Sequence, residues 1–344
     1  MKIVIDAMGG DNAPLEIVKG ALLAAPDFGA DIALVGRVED ILRSMETIGV
    51  SELPQNVEIV NATEVIDMED DPALACRRKK DASMTVALRM VRDGLGDAVI
   101  SAGSTGALLA GATLIVKRVH GIRRAALAPV IPSGTGGVMI IDCGANTDCT
   151  PEYLLQFAYM GSFYMEKIAG VDSPRIGLLN NGAESTKGTP LQTETYKLLS
   201  ENREGKKINF IGNIEAKDVM RGACDVLVCD GFSGNVLIKC IEGTSAFLLS
   251  ELKGAFYSNA RTKLGALLCK KEVYKLKDKF DADAFGGTAL LGITKPVIKA
   301  HGSSNAKTIY NAVRQAVAAA DAGIAELIAD NIDCMKVQMP EDNA

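Results

Sequence analysis

Five times in this chain a short apolar run breaks into a glycine-rich turn poised to open a helix. Lys2 to Asp6 runs into Met8-Gly9-Gly10-Asp11, and Ala98 to Ser101 runs into Gly103-Ser104-Thr105-Gly106. Val138 to Asp142 runs into Gly144-Ala145-Asn146, Ile176 to Asn180 into Asn181-Gly182, and Val226 to Asp230 into Gly231-Phe232-Ser233-Gly234-Asn235. Turns of this kind sit at the carboxyl ends of strands in open α/β sheets, where such folds place ligands. Main-chain N–H groups and the helix dipole there favour an anion, phosphate above all.

The rest of the pattern agrees. Strand-like runs at 2–6, 31–35, 57–60, 97–101, 126–131, 137–142, 174–180, 207–211, 225–229 and 297–300 alternate with helical stretches. This implies an α/β fold: three α/β/α layers with a mostly parallel sheet covered on both faces. Asp71-Pro72, Pro151 and Pro190 read as helix starts, the first helix running to about Val91, and a long last helix spans about 305–329. Pro132 to Gly136 between two short runs suits a hairpin, which makes the sheet mixed. Without a linker or repeat, residues 1–335 read as one domain and 336–344 as a polar tail.

Composition removes several classes. A net charge of −6 argues against whole-surface nucleic-acid binding. The amino terminus enters a strand directly, and apolar windows such as 107–116 are far shorter than the ~20 residues that span a bilayer, so a cytoplasmic protein is expected. Eight scattered cysteines with no C-x-x-C pair, and only His120 and His301 beside them, predict no metal site. Neither G-x-G-x-x-G with a distant acid nor a Walker motif is present, so no nucleotide cofactor is expected. Cys143 and Cys149 flank a glycine turn and are the best thiol nucleophile candidates.

Three constellations carry chemistry. Ser104 lies in a turn resembling a nucleophile elbow, and Ser104, Asp230 and His301 follow the chain order of an α/β-hydrolase triad, which makes a serine hydrolase the rival reading. Asn180 to Gly188 sets Lys187 among small polar residues before a helix, a point charge for phosphate. His301-Gly302-Ser303-Ser304 follows a strand and suits proton transfer. Outside these, residues 253–279 hold eight basic and two acidic residues with leucines interleaved, so the segment at about 250–280 reads as a protruding basic helical docking surface.

Taken together and in order, these stretches resemble the acyl-carrier-protein:phosphate acyltransferase family of bacterial glycerolipid synthesis. The matching segments are Ile5 to Asp11 with Ala13-Pro14, Arg77 to Lys80 with Ser83-Met84, Ser101 to Leu108, and Asp142 to Asn146. They continue with Asn180 to Gly188, Ile211 to Glu215, Asp230 to Asn235 and His301 to Ser304. Ser104 stands where the family often has Asn, Ala216 where it usually has Gly, and Gly287-Thr288-Ala289-Leu290 in place of Gly-Ala-Pro-Leu. The resemblance implies a fold similar to the isocitrate/isopropylmalate dehydrogenases and phosphotransacetylases, and a homodimer. It implies the reaction of long-chain acyl-ACP with inorganic phosphate to give acyl phosphate and free acyl carrier protein, with the product passed to a membrane glycerol-3-phosphate acyltransferase. Lys187, His301 and Asn235 are then the expected catalytic residues. Asp6, Gly9, Gly10, Asp11, Gly103, Ser104, Thr105 and Gly106 are expected to bind phosphate or substrate, as are Asn146, Asn180, Glu184, Asp230, Ser233 and Gly234. Arg77, Arg78, Arg261, Lys263, Leu264, Leu268, Lys270 and Lys271 are expected to dock the carrier protein or an anionic membrane surface.

Overall fold

In a computed structural model, which describes residues 1–204, 208–279 and 286–337, the strands form two sheets rather than one. The larger has the order β3-β2-β1-β4-β12-β11-β5. In it β1 (Lys2–Asp6), β2 (Asp31–Gly36), β3 (Val57–Asn61), β4 (Ala98–Ser101) and β12 (Val297–Lys299) run parallel. β11 (Thr288–Leu291) is antiparallel to both β12 and β5 (Ala126–Ala128). The smaller sheet has the order β6-β7-β10-β8-β9. There β7 (Gly136–Ile141), β10 (Val226–Val228), β8 (Arg175–Asn180) and β9 (Asn209–Glu215) are parallel, and β6 (Val130–Ser133) pairs with β7 as the expected hairpin.

The sheets divide at Pro129. The expected single strand at 126–131 splits there, since proline has no N–H for a ladder. Both halves still run along β7, through Ile140 N to Pro129 O at 3.0 Å and Cys143 N to Leu127 O at 3.0 Å. The two sheets therefore share one wall, and their strand ends face a common region.

Near-continuous apolar runs in β1, β2, β4 and β7 are buried on both faces, as parallel strands between helical layers require. Helix α1 (Leu15–Ala24) packs on α11 (Ala306–Asp321) at Gly20, where a Cβ would lie 2.6 Å from Ala306 O and Ile309 Cβ. Helix α6 (Pro151–Lys167) buries Leu154, Phe157, Tyr159 and Met160 in the core. Pro151 and Pro190 open α6 and α7 (Pro190–Glu204) as their positions predicted.

Three expectations change. The helix expected through Val91 is two, α3 (Ala75–Arg78) and α4 (Ser83–Arg92): Lys79 leaves helical geometry at ψ 81°, and the bridge from Glu64 to Ala82 pins the break. The last helix ends at Asp321, and α12 (Ile324–Asp330) restarts beyond Gly323 at φ +58°. Strand β11 shows no period of its own in the sequence; its apolar residues are read out only by pairing between β12 and β5.

The basic segment lies in a helical hairpin, longer than expected, of α9 (Gly231–Tyr257) and α10 (Ala260–Lys279). Past its first turns α9 is largely exposed, with Phe247, Leu248, Leu249 and Leu252 open to solvent, and so are Leu264, Leu267 and Leu268 of α10. The side chains of Lys275, Lys277 and Lys279 and the tail beyond residue 337 lie outside the described residues.

Because α1 and α11 touch through Gly20, Gly20→Val should lower the unfolding free energy by about 3 kcal/mol by overpacking. Urea denaturation checks this, and a loss below about 0.5 kcal/mol contradicts the close packing.

Candidate active site

Parallel pairing brings three polar residues into one row. Asp6, Ser101 and Lys299 are register partners at the ends of β1, β4 and β12, and they are only 1%, 1% and 8% exposed. Ser101 Oγ donates to Asp6 Oδ2 at 2.7 Å, Met8 N donates to Asp6 Oδ1 at 3.3 Å, and Gly103 N donates to Ser101 Oγ at 3.1 Å. Asp6 is thus a scaffold under the turns rather than a ligand contact, and burial pushes its carboxyl pKa above the usual range.

The turns above this row interlock. Gly10 sits at φ +106°, where a Cβ would lie 2.9 Å from Ala102 Cβ and 3.0 Å from Gly302 O. Asp11 N donates to Gly302 O at 2.7 Å, and Asn12 Nδ2 reaches Ser303 O and Ser304 O. A second group forms on β7 and β10. The buried Asp142 carboxylate accepts from the main-chain N–H groups of Leu127, Cys143, Ala145 and Asn146 at 2.6–3.3 Å. Gly231 N donates to Asn146 O at 2.7 Å, which joins the β10 turn to the β7 turn.

Between the two groups lies a cleft of about 610 Å³. Of the expected residues, Gly10, Asp11, Gly103, Ser104, Thr105, Asn235 and His301 line it. Its lining includes the apolar residues Met8, Ile66, Leu127, Pro129, Ile131 and Ile238. Helix α5 (Thr105–Gly111) starts at the cleft, and its first N–H groups have no carbonyl partner four residues back. Four of the five turns therefore converge, the β7 turn only through Cys143.

The fifth does not. Asn180, Glu184 and Lys187, on the loop after β8, are not among the lining residues: Asn180 Nδ2 donates to Lys187 O, Asn213 Nδ2 donates to Glu184 O, and the Lys187 side chain is exposed. Gly9 lies behind the lining against Gly103 N, and Gly106 packs on Pro72. Asn146 is a strut, its Nδ2 donating to Ala125 O and Asp142 Oδ2. Asp230 caps α9, accepting from Ser233 N and Ser233 Oγ at 2.8 Å, and Gly234 packs on the Asp142 carbonyl. Arg77 and Arg78 are exposed on α3 and are not among the lining residues.

The hydrolase triad is not assembled. Ser104 is 5% exposed and its Oγ accepts from Ala107 N, Asp230 is spent on its own helix, and His301 Nδ1 accepts from Ser303 N at 3.2 Å and pairs with Ser303 Oγ at 2.8 Å. That backbone donor puts the neutral ring's proton on Nε2. Thiol nucleophiles are equally disfavoured. Burial, with Asp142 adding to it, pushes Cys149 up to about 12 and Cys143 higher still.

Several lining residues belong to none of the sequence motifs, and one of them is both charged and buried. Lys299 interrupts the apolar run Val297 to Ala300, and that lone charge near a strand end is the signal the sequence offers for it. Burial brings its pKa down to about 8, against the attraction of Asp6 and Asp11. Among the described residues no cluster of side chains suits a metal ion, and no helix is long and apolar enough to cross a membrane.

The Lys299 shift has a sign that can be checked. A lysine depressed in the fold costs stability below about pH 8, and the cost fades as pH rises toward the unfolded value near 10.5. Lys299→Met should therefore unfold later than wild type at pH 7, by about 3 kcal/mol, with the gain shrinking between pH 8 and 10.5. A variant less stable than wild type at pH 7 contradicts the buried charge.

Residues 1–327 match the family model described as fatty acid synthesis protein. The chain is 46% identical over 317 residues to a phosphate acyltransferase of Oceanobacillus iheyensis, covering 92% of each chain. It is 43% identical over 343 residues to one of Thermoanaerobacterium thermosaccharolyticum, covering 98% of this chain and all of that one. Its fold is that of a phosphotransacetylase from Streptococcus pyogenes, with a TM-score of 0.60 at 20% identity and 94% of each chain covered. A branched-chain phosphotransacylase from Enterococcus faecalis superposes with a TM-score of 0.54 at 15% identity, covering 92% of this chain and 98% of that one. With matches of this identity along almost its whole length, the chain belongs to the phosphate acyltransferase family.

Proposed function

We propose that this enzyme moves a long-chain acyl group from acyl carrier protein to inorganic phosphate, releasing acyl phosphate and the free carrier thiol. The observation that carries this reading is the single cleft in which four strand-end turns meet apolar side chains. N–H groups of the β4 turn and the start of α5 hold the phosphate, and Asp11 and Asn235 border it. Leu127, Ile131 and Ile238 take the first part of the acyl chain.

Hydrogen phosphate is itself a nucleophile, so no covalent enzyme intermediate is needed once it is held beside the thioester. Its oxygen bonds to the carbonyl carbon, and the carbonyl electrons gather on oxygen, where each well-placed N–H donor contributes about 3 kcal/mol. Collapse breaks the C–S bond. His301 Nε2–H donates a hydrogen bond to the departing sulfur, and the thiolate takes up the proton that hydrogen phosphate loses as acyl phosphate forms. The products are acyl phosphate and thiol, with charge and protons conserved.

The α9–α10 hairpin fits a docking role. Arg261, Lys263, Lys270 and Lys271 stand among the exposed Leu264 and Leu268, which suits an acidic carrier protein and brief contact with an anionic bilayer, where a membrane glycerol-3-phosphate acyltransferase takes the product. The exposed apolar residues of α9 suit a homodimer contact. A cytoplasmic, peripherally membrane-associated enzyme follows, with no nucleic acid as partner.

Incubated with acyl carrier thioester, the enzyme should release thiol only when phosphate is present; equal release without phosphate restores the hydrolase. His301→Gln should lower kcat about 100-fold while the phosphate KM stays within about twofold. Lys263→Glu, Lys270→Glu and Lys271→Glu combined should weaken binding to acyl carrier protein and to anionic vesicles about tenfold with the fold intact. Retention of both interactions removes the docking role.

A further inference from the structure

We propose that Lys299, a residue of the third strand end in the row, is the cation that holds the phosphate in the cleft. The inference rests on the reading of the cleft as a phosphate site and names the group that sets its affinity.

Its position makes the case first. The side chain leaves the end of β12 between the interlocked turns and lines the cleft together with Gly103, Ser104 and His301. Its Nζ donates to Ala102 O at 3.4 Å and to Ala300 O, both main-chain carbonyls. Among the described residues no carboxylate stands within ion-pair distance of it. The Asp6 oxygens are already engaged by Ser101 Oγ and Met8 N, and Asp11 acts on Lys299 only through its field. The other lysine of the lining, Lys239, is tied to Glu242 at 2.7 Å. The cleft thus carries one buried ammonium uncompensated by a partner anion.

An isolated ammonium under a sheet edge is expensive, and an apolar residue of the same length would fill the site without that cost. Nothing in the packing of β12 calls for a charge: its neighbours Val297, Ile298 and Ala300 are buried and apolar. A dianion bound above the row supplies what the fold lacks, a counter-charge held at short range where water is excluded and attraction is strong. A compact ammonium serves a phosphate as a point charge while the surrounding N–H groups set its orientation. The groups sharing this field are Asp6 and Asp11 from the β1 side, His301 from the same turn, the Lys239–Glu242 pair from α9, and Asp67, itself paired with Lys79 at 2.9 Å.

Steady-state kinetics with Lys299→Met separates binding of the two substrates. The expected result is a phosphate KM raised at least 30-fold with the KM for the acyl carrier thioester within twofold; an unchanged phosphate KM overturns the assignment. A second arm needs no variant. Wild-type enzyme treated with an amine-acylating reagent near pH 8 should be modified at Lys299, and millimolar inorganic phosphate, but not chloride, should suppress that modification at least fivefold while Lys187 stays reactive. Labelling of Lys299 that phosphate leaves unchanged overturns the assignment even if the variant fails to fold. Wild-type enzyme whose thiol release ignores phosphate removes the transferase reading instead, and the labelling arm still judges Lys299 on its own.

Discussion

The contact that organises the site is between loops, not helices. Gly10, at a backbone angle open mainly to glycine, lies against Ala102 and Gly302, so the turns after β1, β4 and β12 meet with almost no side chain between them. Everything at the site depends on that contact. A Cβ at this position would part the turns, open the row of Asp6, Ser101 and Lys299 to water, and disperse the N–H groups that now face one cleft.

Beneath this surface two buried carboxylates act alike in the two halves. Asp6 gathers donors from the β1 and β4 ends, and Asp142 gathers four main-chain N–H groups around the β7 turn. Each removes donors from competition for the ligand and fixes the loop that carries the rest. The polar residues therefore fall into two sets. Carboxylates and Asn146 brace, while main-chain N–H groups, Lys299 and His301 face the cleft. A site of this kind needs no ionised nucleophile from the protein, which agrees with Cys143 being held protonated and Ser104 being consumed as a helix cap.

Much of the fold is legible in the sequence because parallel strands between helices leave continuous apolar runs bounded by glycine. Two features escape for physical reasons. Strand β11 is defined by its neighbours rather than by any alternation of its own, and the division into two sheets arises from a single missing N–H at Pro129. In the site, motifs locate the turns but do not tell a brace from a ligand contact. Asp6, Asn146 and Asp230 carry polar side chains in the right segments, yet their hydrogen bonds are spent inward. By sequence Lys187 is the better phosphate cation because it sits in a glycine turn, whereas Lys299 is hidden within an apolar strand. Only pairing with Ser101 shows that its strand end opens on the cleft.

The most direct measurement is a crystal structure of the enzyme with phosphate or vanadate bound. The anion should lie in the 610 Å³ cleft, within hydrogen-bond reach of the turn N–H groups at 104–106 and of His301. An anion found only at the loop of residues 180–188, with the cleft empty, would contradict convergence of the four turns as the source of phosphate binding.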